Sequence, residues 1–174
     1  MTDPAKTRRT AHRITYYAIM TSLVYVLSAA ESLIPYPAPT PGIKLGLANI
    51  VTLILLLNNN NLLYIIIVIL LRCVLAAFSF GAFSTLLFSL AGGIVSCMIM
   101  WFLLHFNCAF STMGISVAGA LAHNLAQLAA AALIARNPAI FAYMPALLIA
   151  GVAAGAATGF IAAKMHKIIK TIIK

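Results

Sequence analysis

Residues 62–79 read Leu-Leu-Tyr-Ile-Ile-Ile-Val-Ile-Leu-Leu-Arg-Cys-Val-Leu-Ala-Ala-Phe-Ser. A single charge, Arg72, interrupts an apolar run long enough to cross a bilayer as a helix, which takes ~20 residues. A helix on the surface of a soluble domain would show a polar face; this one is apolar all round. Comparable runs lie to either side, at about 14–34, 82–105, 113–135 and 139–163, with a shorter one at 45–57. The chain therefore reads as all-α, a polytopic membrane protein of six helices.

Composition agrees. Hydrophobic residues make up 64% of the 174 and charged residues 7%, against about 25% charged in an ordinary soluble domain. Mean hydropathy is +1.09. Only Asp3 and Glu31 are acidic. One carboxylate beyond the N-terminal tail cannot supply a paired acid and base, a carboxylate-bridged metal or an aspartate-rich diphosphate site. No GxxxxGK[ST] loop is present, so ATP hydrolysis is not expected. Cys73, Cys97 and Cys108 lie far apart in apolar surroundings with no metal-ligand spacing, and read as buried membrane cysteines. No catalytic residue, metal or cofactor is expected.

The formal net charge of +9 sits mostly at the two ends. Lys6, Arg8, Arg9 and Arg13 precede the first apolar run; Lys164, Lys167, Lys170 and Lys174 follow the last. This is the pattern of cytoplasmic flanks, with both termini inside and an even number of spans, rather than of a nucleic-acid-binding patch. Three segments follow: a basic cytoplasmic tail at 1–13, a six-helix transmembrane domain at 14–163, and a basic amphipathic tail at 164–174 resting on anionic membrane lipid. A basic head, an apolar stretch and small Ser28 and Ala30 also fit a signal peptide. The length of 14–34 and the basic C-terminus favour a retained span.

Between the first two runs lies Pro35-Tyr36-Pro37-Ala38-Pro39-Thr40-Pro41-Gly42. Prolines at this density exclude helix and give an extended, stiff loop. The second run is too short to cross upright, and a half-span or re-entrant helix is the alternative.

Polar residues inside a membrane are costly and point to function. His123, Asn124 and Gln127 fall within an arc of about 100° and are expected to line one interior face, as an interhelical seam or as a wall toward a ligand. Arg72 needs a partner or water. Either it pairs with Glu31, or it faces a cavity ready for an anionic group. Lys44 and Arg136 lie at the outer rim, where they snorkel or make an outward cavity electropositive. Asn49 and Thr52 share a face of the second helix, whose start offers free N–H groups to an anion. Small residues form stripes at four-residue spacing: Gly151, Gly155 and Gly159; Ala118, Ala122, Ala126 and Ala130; Ala18 and Ser22. Such stripes pack the bundle internally or face another membrane protein, the first and sixth spans being the candidates for the latter.

The stretches Gly42-Ile43-Lys44-Leu45-Gly46-Leu47-Ala48-Asn49, Leu70-Leu71-Arg72, Ser89-Leu90-Ala91-Gly92-Gly93 and Ala122-His123-Asn124-Leu125-Ala126-Gln127 resemble the Gx transporter family, often labelled heptaprenyl diphosphate synthase component I, over about residues 10–165. That family looks like a branch of the S components of energy-coupling-factor (ECF) transporters. The resemblance implies a six-helix S-component fold in a bacterial plasma membrane and a small anionic, vitamin-like or cofactor-like solute bound near the outer face. The contacts expected for it are Lys44, Asn49, Arg72, His123, Asn124 and Gln127, under a gating loop carrying Pro35, Pro37, Pro39, Pro41 and Gly42. It further implies docking, here through Ala18, Ser22, Gly151, Gly155 and Gly159, onto a transmembrane coupling subunit driven by two ATPases. The first span reads Ala18-Ile19-Met20-Thr21-Ser22 where S components often carry alanine-xxx-alanine. The alternative is a non-catalytic membrane subunit associated with a heptaprenyl diphosphate synthase.

Overall fold

A computed structural model describes residues 4–33, 46–58, 61–80, 83–106 and 110–172. Among these residues the elements are all helical: α1 (Pro4–Leu33), α2 (Ala48–Leu57), α3 (Leu62–Phe80), α4 (Phe83–His105), α5 (Thr112–Ala135), a 3-10 helix (Pro138–Tyr143) and α6 (Met144–Ile172). Five helices are long and apolar enough to span a bilayer, and α2 is a shorter apolar helix. The chain is a multi-pass helical membrane protein, as its sequence indicates.

Local chemistry sets the helix ends. Helix α1 starts at Pro4, ahead of the span itself. Proline suits a first helical turn, and the Lys, Arg and Ala that follow are good helix formers. The basic N-terminal tail is thus largely a continuation of the first span, as α6 is of the basic C-terminal segment through Lys164 and Lys167. Ser111 caps α5 by accepting the Gly114 N–H at 3.1 Å. Arg136 ends α5 with a left-handed backbone, φ 50°. Asn137 then caps the 3-10 helix through the Ala139 N–H, with Pro138 opening it.

Helices α4, α5 and α6 form the most extensive interfaces, while α1 lies on α3 and α3 on α4. Helix α2 sits in the middle, touching each of the other five α-helices. Each residue from Ala48 to Leu56 is buried. Apart from Asn49 and Thr52 the helix is apolar on every side, as suits one that protein rather than lipid encloses. Ten residues rise about 15 Å, half the ~30 Å hydrocarbon thickness. Among the described residues six helices form as expected, but five are long enough for full spans, and α2 has the length of the half-span given as the alternative.

Two contacts orient the bundle. Tyr17 of α1 stacks on Tyr64 of α3, centroids 4.9 Å apart. His166 of α6 pairs through Nδ1 with Asn58 Oδ1 at 2.8 Å. Asn58 and Tyr64 flank the connection between α2 and α3, so the start of α1 and the end of α6 lie at one end of the bundle.

The glycine stripe of α6 corrects one expectation. Gly151, Gly155 and Gly159 do not face outward to dock a partner; they are spent on α5. A Cβ at Gly155 would lie 2.7 Å from Val117 Cα, and one at Gly159 would lie 2.8 Å from Met113 Cα. A Cβ at Gly151 would meet Asn124 Nδ2 at 2.8 Å. The reason is the small drive for helix association in lipid: backbones must approach closely to gain contact, and only glycine permits it. Ser116 and Thr158 hydrogen-bond across this seam at 2.9 Å. Ala118, Ala122, Ala126 and Ala130 are partly buried. Ala18 and Ser22 are exposed, and the Ser22 hydroxyl donates to the Ala18 carbonyl at 3.0 Å, leaving a small, satisfied surface.

Gly46 leads the chain into α2 with φ +86°, a conformation that side chains resist. Its carbonyl accepts the Asn49 N–H at 2.8 Å, and its N–H donates to Glu31 Oε1. Gly46→Ala is expected to destabilise the protein by roughly 1–2 kcal/mol, read as a lower detergent melting temperature.

Candidate functional site

Residues of six helices meet at one level of the bundle. Helix α4 presents its buried face there through Ser89, Gly92, Gly93 and Ser96. On one flank, a Cβ at Gly93 would lie 3.0 Å from Arg72 Nη2 and 2.9 Å from Ile69. On the other, a Cβ at Gly92 would lie 2.7 Å from Gln127 Cγ and 2.9 Å from the His123 ring. The glycine pair is therefore a gap in the α4 surface into which Arg72 of α3 and His123 and Gln127 of α5 press. Arg72 Nη1 donates to Ser28 Oγ of α1 at 3.4 Å. Glu31, one turn further along α1, holds Gly46. Asn49, one turn past Gly46, faces back so that a Gly46 Cβ would meet its Nδ2 at 3.2 Å. On the far side, Asn124 reaches the start of α6 and donates to the Leu147 carbonyl at 2.9 Å.

All of these side chains are withdrawn from the surface. Arg72 is 5% exposed, Gln127 5% and His123 3%, with Asn49, Asn124 and Glu31 also buried. Their partnering differs. Asn124 and Glu31 have bonds that tie helices together. Asn49 Nδ2, Arg72 Nε, Ser96 Oγ and both Gln127 amide atoms are buried without a hydrogen-bond partner among the described residues. An unmade hydrogen bond at a buried group costs ~1–3 kcal/mol, so this cluster is poor as internal glue and suited to a polar guest.

Several expectations change in detail. His123, Asn124 and Gln127 are all interior but form two walls rather than one. Successive residues on a helix point ~100° apart, and α5 is sandwiched between α4 and α6, so Asn124 turns to α6 while His123 and Gln127 turn to α4. Glu31 and Arg72 do not pair with each other among the described contacts: the carboxylate goes to the N-terminus of α2, where the helix dipole also favours it, and the guanidinium goes to Ser28. One N–H at the entry to α2, that of Gly46, thus meets the chain's own carboxylate rather than an outside anion. From sequence Ser28 was named only at a possible cleavage point, not as a partner of Arg72. Its position three residues before Glu31, on the same face of α1, was the available signal. Arg136 is exposed. Lys44 and the loop residues Pro35, Pro37, Pro39, Pro41 and Gly42 lie outside the described residues. Among the described residues no group of three His, Cys, Asp or Glu side chains could hold a metal ion.

A family model described as heptaprenyl diphosphate synthase component I matches residues 20–165. No curated protein matches the chain, and no solved structure matches it.

Proposed function

Since the chain belongs to the heptaprenyl diphosphate synthase component I family, we propose that it is the non-catalytic, solute-capturing membrane subunit of an ECF-type transporter, similar to an S component. The observation that carries this reading is the buried tier in which Asn49, Arg72 and Gln127, from three different helices, keep polar atoms without a partner among the described residues. A chain with two carboxylates in total has no acid–base pair to work with in that tier and no aspartate-rich motif for prenyl transfer. Binding without chemistry is the function its residues fit.

The solute is a small anionic, vitamin-like or cofactor-like molecule, drawn to the tier by Arg72. Lys44 and the loop of Pro35, Pro37, Pro39, Pro41 and Gly42 are assigned to its entrance. Under the positive-inside rule the end of the bundle that holds the start of α1 and the end of α6 is cytoplasmic, and the bilayer is a bacterial plasma membrane. The tier then lies toward the outer face, since Gly46 begins the helix that ends at Asn58. Coupling to a transmembrane subunit and two ATPases is assigned to the exposed Ala18 and Ser22 face of α1. Purification in mild detergent is expected to recover those partners; recovery of a soluble prenyl synthase instead would favour the reading as a synthase subunit.

Native mass spectrometry of the purified chain tests the proposal. A retained small polar molecule is the expected result, and a chain that never retains one contradicts it. Gly92→Ala is expected to weaken retention about tenfold and to lower the melting temperature as well, because the added methyl would lie 2.7 Å from Gln127 Cγ and 2.9 Å from the His123 ring, and both side chains must shift.

A further inference from the structure

We infer that the solute presents an amide-like edge, a carbonyl beside an N–H as in a lactam, imide or cyclic urea, to Gln127. This inference rests on the capture reading above and adds the class of molecule captured. Gln127 is 5% exposed, and both its Oε1 and its Nε2 lack a partner among the described residues. Exchanging the two atoms of the amide changes nothing in the argument, because both are orphaned.

A carboxylate or phosphate only accepts hydrogen bonds, so it satisfies Nε2 and leaves Oε1 buried and unmatched. An ammonium only donates and leaves Nε2 unmatched. A neutral edge carrying one donor and one acceptor side by side satisfies both atoms at once, as one primary amide pairs with another. The Cγ of Gln127 is seated against Gly92, where a Cβ would come within 2.7 Å. The stem is thereby packed on α4 and the amide end is what remains to meet a guest. Arg72, on the other flank of the glycine pair, has Nε unpartnered as well and supplies the site for an anionic group on the same molecule. Asn49 Nδ2 adds one more donor from α2. The combination selects a planar, amide-edged ring bearing an acid group over a simple acid or a lipid phosphate.

The test uses the full chain in detergent and three probes: orotate, 1,3-dimethylorotate and benzoate. Orotate carries a carboxylate and an imide edge. Its dimethyl derivative keeps the ring and the carboxylate but has no N–H. Benzoate keeps only the carboxylate and the flat ring. Orotate is expected to raise the melting temperature and to bind about tenfold or more tightly than either other probe. Gln127→Met, which retains the straight stem against Gly92, is expected to abolish that preference. Equal binding of orotate and dimethylorotate, a preference for benzoate, or no binding by any of the three overturns the amide-edge assignment. The capture reading stands or falls separately, on whether the protein retains a small molecule at purification. If Gln127→Met fails to fold, the comparison of orotate with dimethylorotate on the unaltered chain still decides.

Discussion

Gly155→Val is expected to keep α5 and α6 from closing and to cost about 3 kcal/mol or more of stability. The first carbon of any side chain at this position would lie 2.7 Å from Val117 Cα and 3.2 Å from the Ser116 carbonyl oxygen. Both are backbone atoms of a helix and cannot rotate aside as a flexible side chain can. Relief requires separating two helices along a seam that also holds the Ser116–Thr158 hydrogen bond. The measurement is monodispersity and melting temperature in detergent. Ala157→Val, on the exposed side of the same helix, is the control: it introduces the same β-branched side chain and is expected to change little. Equal behaviour of the two variants would mean that the seam is looser than its geometry indicates.

Arg72→Ala is expected to reduce solute retention at least about tenfold while leaving the fold intact. A hydrogen bond to a charged group is worth ~1.5–3 kcal/mol, and Arg72 contributes the one cation among the described buried residues of the tier. Its removal relieves the desolvation cost of a buried charge but leaves a void, so a moderately lower melting temperature accompanies a retained fold. The Ser28 hydroxyl that loses its partner can turn to a backbone carbonyl of its own helix. Arg72→Lys should recover part of the retention, since a lysine keeps the charge but not the planar fork. Native mass spectrometry of both variants beside the unaltered chain reads the effect. Unchanged occupancy in Arg72→Ala would remove Arg72 from the site.

These two residues differ in how plainly the sequence announced them. Arg72 stood out because a charge in the middle of an apolar run has few explanations. Gly155 stood out only as one member of a four-residue stripe, and a stripe states that something approaches closely without stating what. The outward reading of that stripe was wrong because the choice between α5 and a separate protein depends on how α6 is rotated, which periodicity alone does not fix. The same limit applies to Asn124. Its burial was foreseeable from its spacing with His123 and Gln127, but its commitment to the Leu147 carbonyl follows from the position of α6 alone.

The chain's own composition determined that it lives in lipid, that it folds as helices, where α2 to α5 begin and end to within a few residues, though not how far α1 reaches back to Pro4 or α6 on to Ile172, and which polar side chains would be costly to bury. These are consequences of desolvation and of backbone hydrogen bonding, which act locally and can be counted along the chain. Tertiary packing alone decided that the short α2 becomes the enclosed centre, that Glu31 secures Gly46 while Arg72 turns to Ser28, and that Arg72 and Gln127 come to flank the same pair of glycines. Pairings of this kind are set by the rotation and depth of each helix against its neighbours. Those depend on the fit of small residues contributed by segments far apart in the chain.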